Sequence, residues 1–556
     1  MVRMSRSSFL PLLLVLFAAS GCSALIYEVV WFQVLQLSLG GTSVSAGVLL
    51  AAFMGGLCIG SLLLPRWKTD LHPLKVYALL ELGIGVFGVT VLPLIGVLER
   101  NGLPTMTLRG LVSGLCMLPP TILMGASLPA IARWIEGTEE GVAWWGWLYG
   151  ANTTGAIFGC LYAGFYLLRV YDMATAAYVA AAINIAGAVI AFALSSKAPG
   201  LPESAPSTEE STEATESNWP VYITIALSGA TALGAEVVWT RLMGYLLLAT
   251  VYAIAIILAV FLTGLALGSA AGSWILKRAR AQSALGWSQF LVVLGIAWTV
   301  YAINHDIPTW ADDKLTTIDP WRLFMADLKR SMYGILPATL AWGASFPLAC
   351  AAVARPGKDS GKVAGGIYAA NTLGSIIGAL SVSLLLIPGI GTQNTQRILL
   401  GAAALSGVIA LLPMIKRTRS AALTAGLGVA IVTSGLLART VDKVPGDLIA
   451  YGRRMQLNEK QSEILYVGEG RNSSVAISRF FNGTVYVNVN GHVEATTEIY
   501  DMKLQRMVGH LPAILHPNPK SVLGIGFGAG VSAGSFTRYP SIEHITVCEI
   551  EPLIPP

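Results

Sequence analysis

Two groups of residues in this chain have the types and the spacing to do chemistry. Ser521-Val-Leu-Gly-Ile-Gly-Phe-Gly-Ala-Gly530 is an apolar run entering a turn in which Gly526, Gly528 and Gly530 let backbone approach a ligand. Ile545-Thr-Val-Cys-Glu-Ile-Glu551 is a second apolar run that ends in Glu549, a carboxylate able to accept from ribose hydroxyls. Together they read as the opening of a nucleotide-binding α/β fold. Far upstream, Glu28 and Glu236 lie inside long apolar runs. A carboxylate at mid-membrane costs roughly 2.5 to 3.5 kcal/mol on insertion scales, so both must face the interior of a helix bundle. Trp31 and Trp239 follow three residues later on the same helical face, where they can wall a cavity or stack on a cation. Such a pair of carboxylates suits proton relay or the binding of an organic cation such as a polyamine. The alternative is structural, each carboxyl hydrogen-bonded to a neighbouring helix.

The elements that hold these residues are set by composition. The chain has 556 residues, of which 54% are hydrophobic and 12% charged, with a mean hydropathy of +0.64; ordinary soluble domains carry roughly 25% charged residues. Apolar runs of about 20 residues with few charges, enough to cross hydrocarbon, occur near 10–32, 43–64, 74–97, 110–134, 145–168 and 174–195, then near 219–245, 249–275, 285–303, 331–354, 363–388, 397–415 and 420–438. The fold expected is a mostly α, polytopic membrane bundle of about thirteen spans with a small α/β tail. The net charge of +5 is scattered over loops without a basic, aromatic-interleaved stripe, which argues against nucleic acid as a partner. Arg3 and Arg6 precede the first span, and basic residues recur after every second one: Arg66, Lys68 and Lys75; Arg133; Lys277, Arg278 and Arg280; Arg355, Lys358 and Lys362; Lys416, Arg417 and Arg419. The positive-inside rule then places the N-terminus in the cytoplasm, with a bacterial inner membrane as the expected location. Five of the six cysteines fall in apolar spans and Cys548 in what reads as a buried strand. None has metal-ligand spacing, and no metal is expected.

An internal repeat orders the spans. Ser20-Gly-Cys-Ser-Ala-Leu-Ile-Tyr-Glu-Val-Val-Trp31 matches Ser228-Gly-Ala-Thr-Ala-Leu-Gly-Ala-Glu-Val-Val-Trp239. Ala19-Ser-Gly-Cys22 has the form of a lipid-attachment signal, but the repeat aligns Cys22 with Ala230 inside a mid-chain span, so the first helix is expected to be retained. The match continues from Gly56-Leu-Cys-Ile-Gly60 to Gly264-Leu-Ala-Leu-Gly268, from Gly125-Ala-Ser-Leu-Pro129 to Gly343-Ala-Ser-Phe-Pro347, and from Tyr149-Gly-Ala-Asn-Thr-Thr-Gly155 to Tyr368-Ala-Ala-Asn-Thr-Leu-Gly374. GxxxG spacings at these places favour close helix contact. Asn152 and Asn371, also paired by the repeat, read as interhelical glue or as cavity polar groups. Glu81 in the third span has no partner in the other half and ranks below these pairs as a site. Six spans per copy give both copies one orientation, hence a pseudo-twofold axis along the membrane normal. Two six-helix halves joined by a long central loop resemble the major facilitator superfamily. The expected organisation is a first membrane repeat over 1–195, a disordered Ser/Thr/Glu-rich linker over 196–218, and a second repeat with an extra span over 219–440.

From about Val441 the periodicity changes. Val475-Ala-Ile-Ser, Thr484-Val-Tyr-Val-Asn-Val and the turn Asn490-Gly491 read as hairpin strands, with a helix near 498–511. This β region with its helix is expected over 441–515 and the incomplete start of a Rossmann-like fold over 516–556. With His510-Leu-Pro512, His516-Pro-Asn-Pro-Lys520, Ile525-Gly-Phe-Gly-Ala-Gly530 and Val547-Cys-Glu-Ile-Glu551, these landmarks make the last 110 or so residues resemble the spermidine synthase family, the polyamine aminopropyltransferases. The resemblance implies that Gly526, Gly528 and Gly530 line a pocket for decarboxylated S-adenosylmethionine, that Glu549 binds its ribose, and that Asp501 and Gln505 add polar contacts. The turn Asn490-Gly491-His492-Val493-Glu494 and Gln505 depart from the family pattern where it recognises the amine. The family's catalytic Asp lies beyond the second strand, and no residue up to Pro556 fills its place. The expectation is therefore a truncated form of a longer enzyme-like protein, or a remnant that uses its membrane part alone.

The whole chain resembles the membrane-fused spermidine synthase-like proteins of bacteria. That implies aminopropyl transfer from decarboxylated S-adenosylmethionine to putrescine or a similar amine. The other readings are a transporter of polyamine-like cations such as putrescine or spermidine, with Glu28 and Glu236 as charged sites and a vestigial or sensory tail, and a membrane-tethered adenosyl-binding module. Thirteen spans would put the tail opposite the N-terminus; a segment 421–438 lying flat would return it.

Overall fold

The structure, a computed structural model, describes residues 9–554 apart from 41, 67–68, 70, 101, 103–104, 136–140, 197–217, 249, 311–318, 355–359 and 456–460. Almost all of the expected linker, and Arg3, Arg6, Lys68, Arg355 and Lys358 of the basic pattern, lie outside the described residues, as do the side chains of Arg133 and Lys362. Among the described residues, twelve helices are long and apolar enough to cross a membrane. The first half comprises α1 (Leu10–Leu39), α2 (Thr42–Leu63), α3 (Pro73–Arg100), α4 (Met106–Ile135), α5 (Gly141–Tyr162) and α6 (Met173–Ser195). The second comprises α7 (Trp219–Leu247), α8 (Val251–Ile275), α9 (Ala281–Tyr301), α10 (Pro320–Val353), α11 (Ser360–Ser381) and α12 (Ile387–Thr418). α11 and α12 form one 54-residue apolar stretch, Gly365–Thr418. At 1.5 Å per residue it would measure about 80 Å, far beyond a 30 Å hydrocarbon core. It turns back at Gly391, whose φ of 77° and ψ of 167° are not helical, so it makes two crossings. With α13 (Ala421–Arg439) the count reaches thirteen.

The halves repeat one packing scheme. α1 lies on α5, α2 on α4 and α3 on α6 in the first; α7 lies on α11, α8 on α10 and α9 on α12 in the second. They meet through α2 against α11 and α5 against α8, two contacts that a twofold operation interchanges. Both α5 and α11 run through a π-helical turn, Ala163–Leu167 and Val382–Leu386, before the chain breaks and reverses. The small residues of the repeat permit the close approaches: a Cβ on Gly155 would overlap the Ala18 carbonyl, and one on Gly374 the Ala226 carbonyl.

Glu81 in α3 is glue. It accepts from Ser20 Oγ at 2.7 Å and Asn184 Nδ2 at 2.6 Å. The corresponding position of α9 is Gln289, which donates to Ser345 Oγ at 2.9 Å and accepts from Ser406 Oγ at 3.1 Å. An amide performs in one half what a carboxyl performs in the other. Glu81→Gln should therefore leave the melting temperature of the purified protein nearly unchanged. Glu81→Leu strands two buried polar groups, at about 1–3 kcal/mol each, and should lower it by several degrees.

α13 is a full crossing rather than a flat or re-entrant segment. Near its start Leu427 packs with Phe290 and Leu411. At and just beyond its end, Arg397 donates to the carbonyls of Ala438 and Val441 at 3.1 and 2.9 Å, and Gln393 to that of Val441 at 2.8 Å. It thus runs antiparallel to α12 along its whole length, and the tail begins on the face opposite the one where α6 ends and α7 begins.

The tail opens with a short helix, α14 (Gly446–Tyr451), and an antiparallel sheet in the order β1 (Ser462–Glu469), β2 (Ser474–Phe480), β3 (Val485–Val489), β4 (His492–Thr496). The Asn490-Gly491 turn, with φ of 51° and 85°, closes β3 onto β4. α15 (Ile499–Leu515) then leads to β5 (Ser521–Ile525), α16 (Val531–Phe536) and β6 (His544–Cys548), with β5 and β6 paired in parallel. β1 was not evident in the sequence. Cys548, expected in a buried strand, is exposed, because among the described residues β6 has β5 as its sole strand neighbour.

Candidate functional site

α1, α2, α7 and α8 enclose a cavity of about 40 Å³, room for roughly two or three water molecules. Its twelve lining residues are six repeat pairs, each 208 positions apart as 28 is from 236: Glu28 and Glu236, Val29 and Val237, Phe32 and Thr240, Ala46 and Ile254, Leu49 and Ile257, Leu50 and Leu258. A cavity built from the same positions of both halves sits on the pseudo-twofold axis. Glu28 and Glu236 are 6% and 9% exposed, and neither carboxyl makes a hydrogen bond or ion pair among the described residues. Their acceptor oxygens are thus uncommitted inside a chamber whose other lining residues are apolar apart from Thr240, the opposite of Glu81.

Other sequence-derived candidates lie elsewhere. Trp31 and Trp239 do not line the cavity. Trp31 stacks on Tyr27 with ring centroids 5.3 Å apart, and Trp239 packs at 5.5 Å on Trp342. Asn152 is also outside it, donating to the Phe17 carbonyl at 3.2 Å across the α1–α5 contact. Asn371 is its counterpart, with its backbone against Gly229 at the α7–α11 contact. Both belong to helix packing, since the repeat places them where helices come closest.

In the tail, Gly526, Gly528 and Gly530 have φ of 82°, 54° and 74°, conformations that favour glycine. Nothing lies within 4 Å of where a Cβ on Gly526 or Gly528 would sit, whereas one on Gly530 would meet the Phe527 ring. The space before the first two is open. Glu549 Oε2 accepts from Phe527 N at 2.6 Å, and Oε1 accepts from Ile550 N and Glu551 N at 2.9 and 3.0 Å. Partial burial opposes its ionisation, yet the N–H groups of Glu551, Phe527, Ile550 and Gly528 hold its carboxyl below the ordinary carboxylate range. Asp501 Oδ2 accepts from Thr496 N at 2.5 Å and from Gln505 Nε2 at 2.8 Å, and the Gln505 carbonyl accepts from Ser532 Oγ at 2.8 Å in α16. Asp501 and Gln505 therefore tie α15 to β4 and to the helix that follows the glycine turn.

The tail grips the bundle through residues that no motif marks. Arg241, near the end of α7 and 6% exposed, donates through Nη2 to the Gly470 carbonyl at 3.0 Å and to Ser474 Oγ at 2.7 Å. Tyr245 donates to Ser474 Oγ at 2.8 Å, and Arg453 pairs with Asp327 of α10 at 3.1 Å. A Cβ on Gly40, at the end of α1, would meet the Ile550 side chain.

Residues 501–554 match the family described as the spermine/spermidine synthase domain. Similar proteins include the polyamine aminopropyltransferase of Thermotoga neapolitana, 30% identical over 103 residues, covering 18% of this chain and 34% of that protein. Another is spermidine synthase 2 of Datura stramonium, 36% identical over 97 residues, covering 17% and 30%. The chain spans about a third of the length of these relatives. Among solved structures, the bundle superposes on the nucleoside transporter NupG at a TM-score of 0.49 and 15% identity, and on a bacterial homologue of the iron transporter ferroportin at 0.49 and 14%. Each comparison covers 73% of this chain and 99% of the other. The chain is a multi-pass membrane protein that carries a spermidine synthase-like segment. More particularly, it joins two parallel six-helix repeats to the glycine turn and first two parallel strands of that segment.

Proposed function

We propose that the bundle transports a small organic cation of the polyamine class, putrescine or spermidine, with Glu28 and Glu236 as its counter-charges and the synthase-like tail as a ligand-sensing module. The observation that carries this reading is the axial cavity, whose two buried carboxyls have no partner of their own. A cation entering it meets both symmetry-related acceptors with no internal bond to break. The twofold arrangement also suits rocking of one half against the other around a fixed site. The direct experiment is uptake of radiolabelled putrescine by vesicles reconstituted with the purified protein. Uptake no faster than into protein-free vesicles would remove the proposal.

Loop charge supports one orientation. The described basic residues Arg66, Lys75, Lys277, Arg278, Arg280, Lys416, Arg417 and Arg419 lie at helix ends opposite the tail, while Arg100, Arg109, Arg169, Arg322, Lys329 and Arg439 lie at helix ends on the tail side. Added to the first set, Arg3, Arg6, Lys68, Arg133, Arg355, Lys358 and Lys362 of the sequence pattern give it a clear excess over the second, and that excess, by the positive-inside rule, supports a bacterial inner-membrane protein with a cytoplasmic N-terminus and an external tail. A cysteine placed at exposed Ser521, in a Cys548→Ser background, should react with a membrane-impermeant maleimide in intact cells.

A second reading is favoured by the match over residues 501–554: aminopropyl transfer, in which the amine attacks decarboxylated S-adenosylmethionine and a neutral thioether leaves. The open space before Gly526 and Gly528 suits an adenosyl ligand, with Glu549 as acceptor for its ribose. Protection of the Ser521 cysteine until cells are permeabilised would favour this reading, because it would place the tail where adenosyl compounds are made.

A further inference from the structure

We infer that the glycine turn of the tail and the axial cavity of the bundle are energetically coupled through a hydrogen-bonded relay, so that a nucleoside-bearing ligand on the tail controls the bundle. The inference rests on the proposed ligand sites for its purpose, and on geometry alone for its existence.

The relay begins at Glu549, which holds Phe527 N–H of the turn on one oxygen and Glu551 N–H on the other. Glu551 is 1% exposed. Its Oε2 accepts from the backbone N–H groups of Asn472 and Ser473 at 3.0 Å each, which fixes the loop between β1 and β2. That loop presents the Gly470 carbonyl and Ser474 Oγ to Arg241. Arg241 follows Thr240, a lining residue of the cavity, on the helix that bears Glu236. A ribose hydroxyl drawing on Glu549 therefore competes for the carboxylate that anchors the relay.

The same loop holds the element able to switch. At the break after Gly391, the first free N–H of the renewed helix, that of Thr392, donates to Glu469 Oε2 at 2.7 Å. The equivalent break in the first half is capped from within, Thr175 N–H donating to Asp172 at 2.7 Å. A helix start left without its cap is destabilised. The first half keeps its cap whatever the tail does, and the second keeps it only while the tail is docked. Docking thus has two states, and both the glycine turn and the second half bias them.

Hydrogen–deuterium exchange of the full chain in lipid nanodiscs tests this. Glu551→Ala, without ligand, should raise exchange over 388–396 and over 525–530 at least threefold and leave β3 unchanged. Unchanged exchange over 388–396 would overturn the coupling, whatever the tail binds. If β3 also loses protection, Ser474→Ala replaces that variant with the same expectation for 388–396. In the unmodified protein, 5′-methylthioadenosine should alter exchange at both 525–530 and 388–396 by threefold or more, and Glu469→Ala should cancel the second effect alone. An effect confined to 525–530 would sink the coupling while keeping the ligand site. No effect at 525–530 would remove the nucleoside reading of the tail, and with it the ligand-control part of the inference.

Discussion

Replacing Glu28 and Glu236 together by Gln is expected to reduce putrescine uptake by reconstituted vesicles at least a hundredfold, with the protein still folded. The amide keeps the shape of the carboxyl and removes its charge. A unit charge about 4 Å from a cation contributes up to roughly 4 kcal/mol at an effective dielectric of about 20, and a hundredfold loss needs only about 2.7 kcal/mol. Folding should not suffer, because Gln is cheaper than Glu to place in the bilayer interior and the carboxyls make no internal bond that an amide would lose. The two single variants should each lose tenfold or more and resemble one another, since the cavity presents both residues from equivalent positions. Strongly unequal single variants would mean that the cation approaches one half alone, and full retention of uptake by the double variant would exclude this cavity as its route.

Gly528→Val is expected to abolish 5′-methylthioadenosine binding to the tail by calorimetry. Two effects act together. The backbone at φ 54° is costly for any residue with a Cβ, by roughly 1–2 kcal/mol and more for a branched one. The isopropyl group would also fill the space that stands empty before the turn. Gly534→Ala is the control, because its Cβ also meets nothing within 4 Å but it sits inside α16, where alanine is the better residue. Binding that survives Gly528→Val would place any adenosyl ligand elsewhere.

Much of this architecture was legible because duplication writes each constraint twice. The Glu28 and Glu236 match fixed a register, and all six pairs around the cavity follow it. Duplication also misled where residue type spoke without packing. Trp31 and Trp239 share a helical face with the carboxyls over one turn, but at that radius they reach into the neighbouring aromatic layer instead of the axis. Glu81 had a counterpart after all, hidden because Gln289 does the same hydrogen bonding without a charge. The grip of the tail was not legible at all. Arg241, Glu469 and Glu551 are separated by long stretches of chain; Arg241 and Glu469 belong to no short motif, Glu551 closes one that points to nothing in the bundle, and all three gain meaning only once α13 has carried the tail across to the face where α7 ends. Cys548 read as interior because apolar strands usually are; it is exposed because, among the described residues, β6 has β5 as its sole strand neighbour.

The borrowed cap at Thr392 also sets an order of events during biogenesis. Residue 469 is made after the helices on either side of the break it caps, so the nascent second repeat must wait, with one end unfinished, until β1 has been synthesised and seated. Truncations ending at residue 440 should accordingly insert, yet remain more open to proteases around Gly391 than at the matching bend near Tyr171.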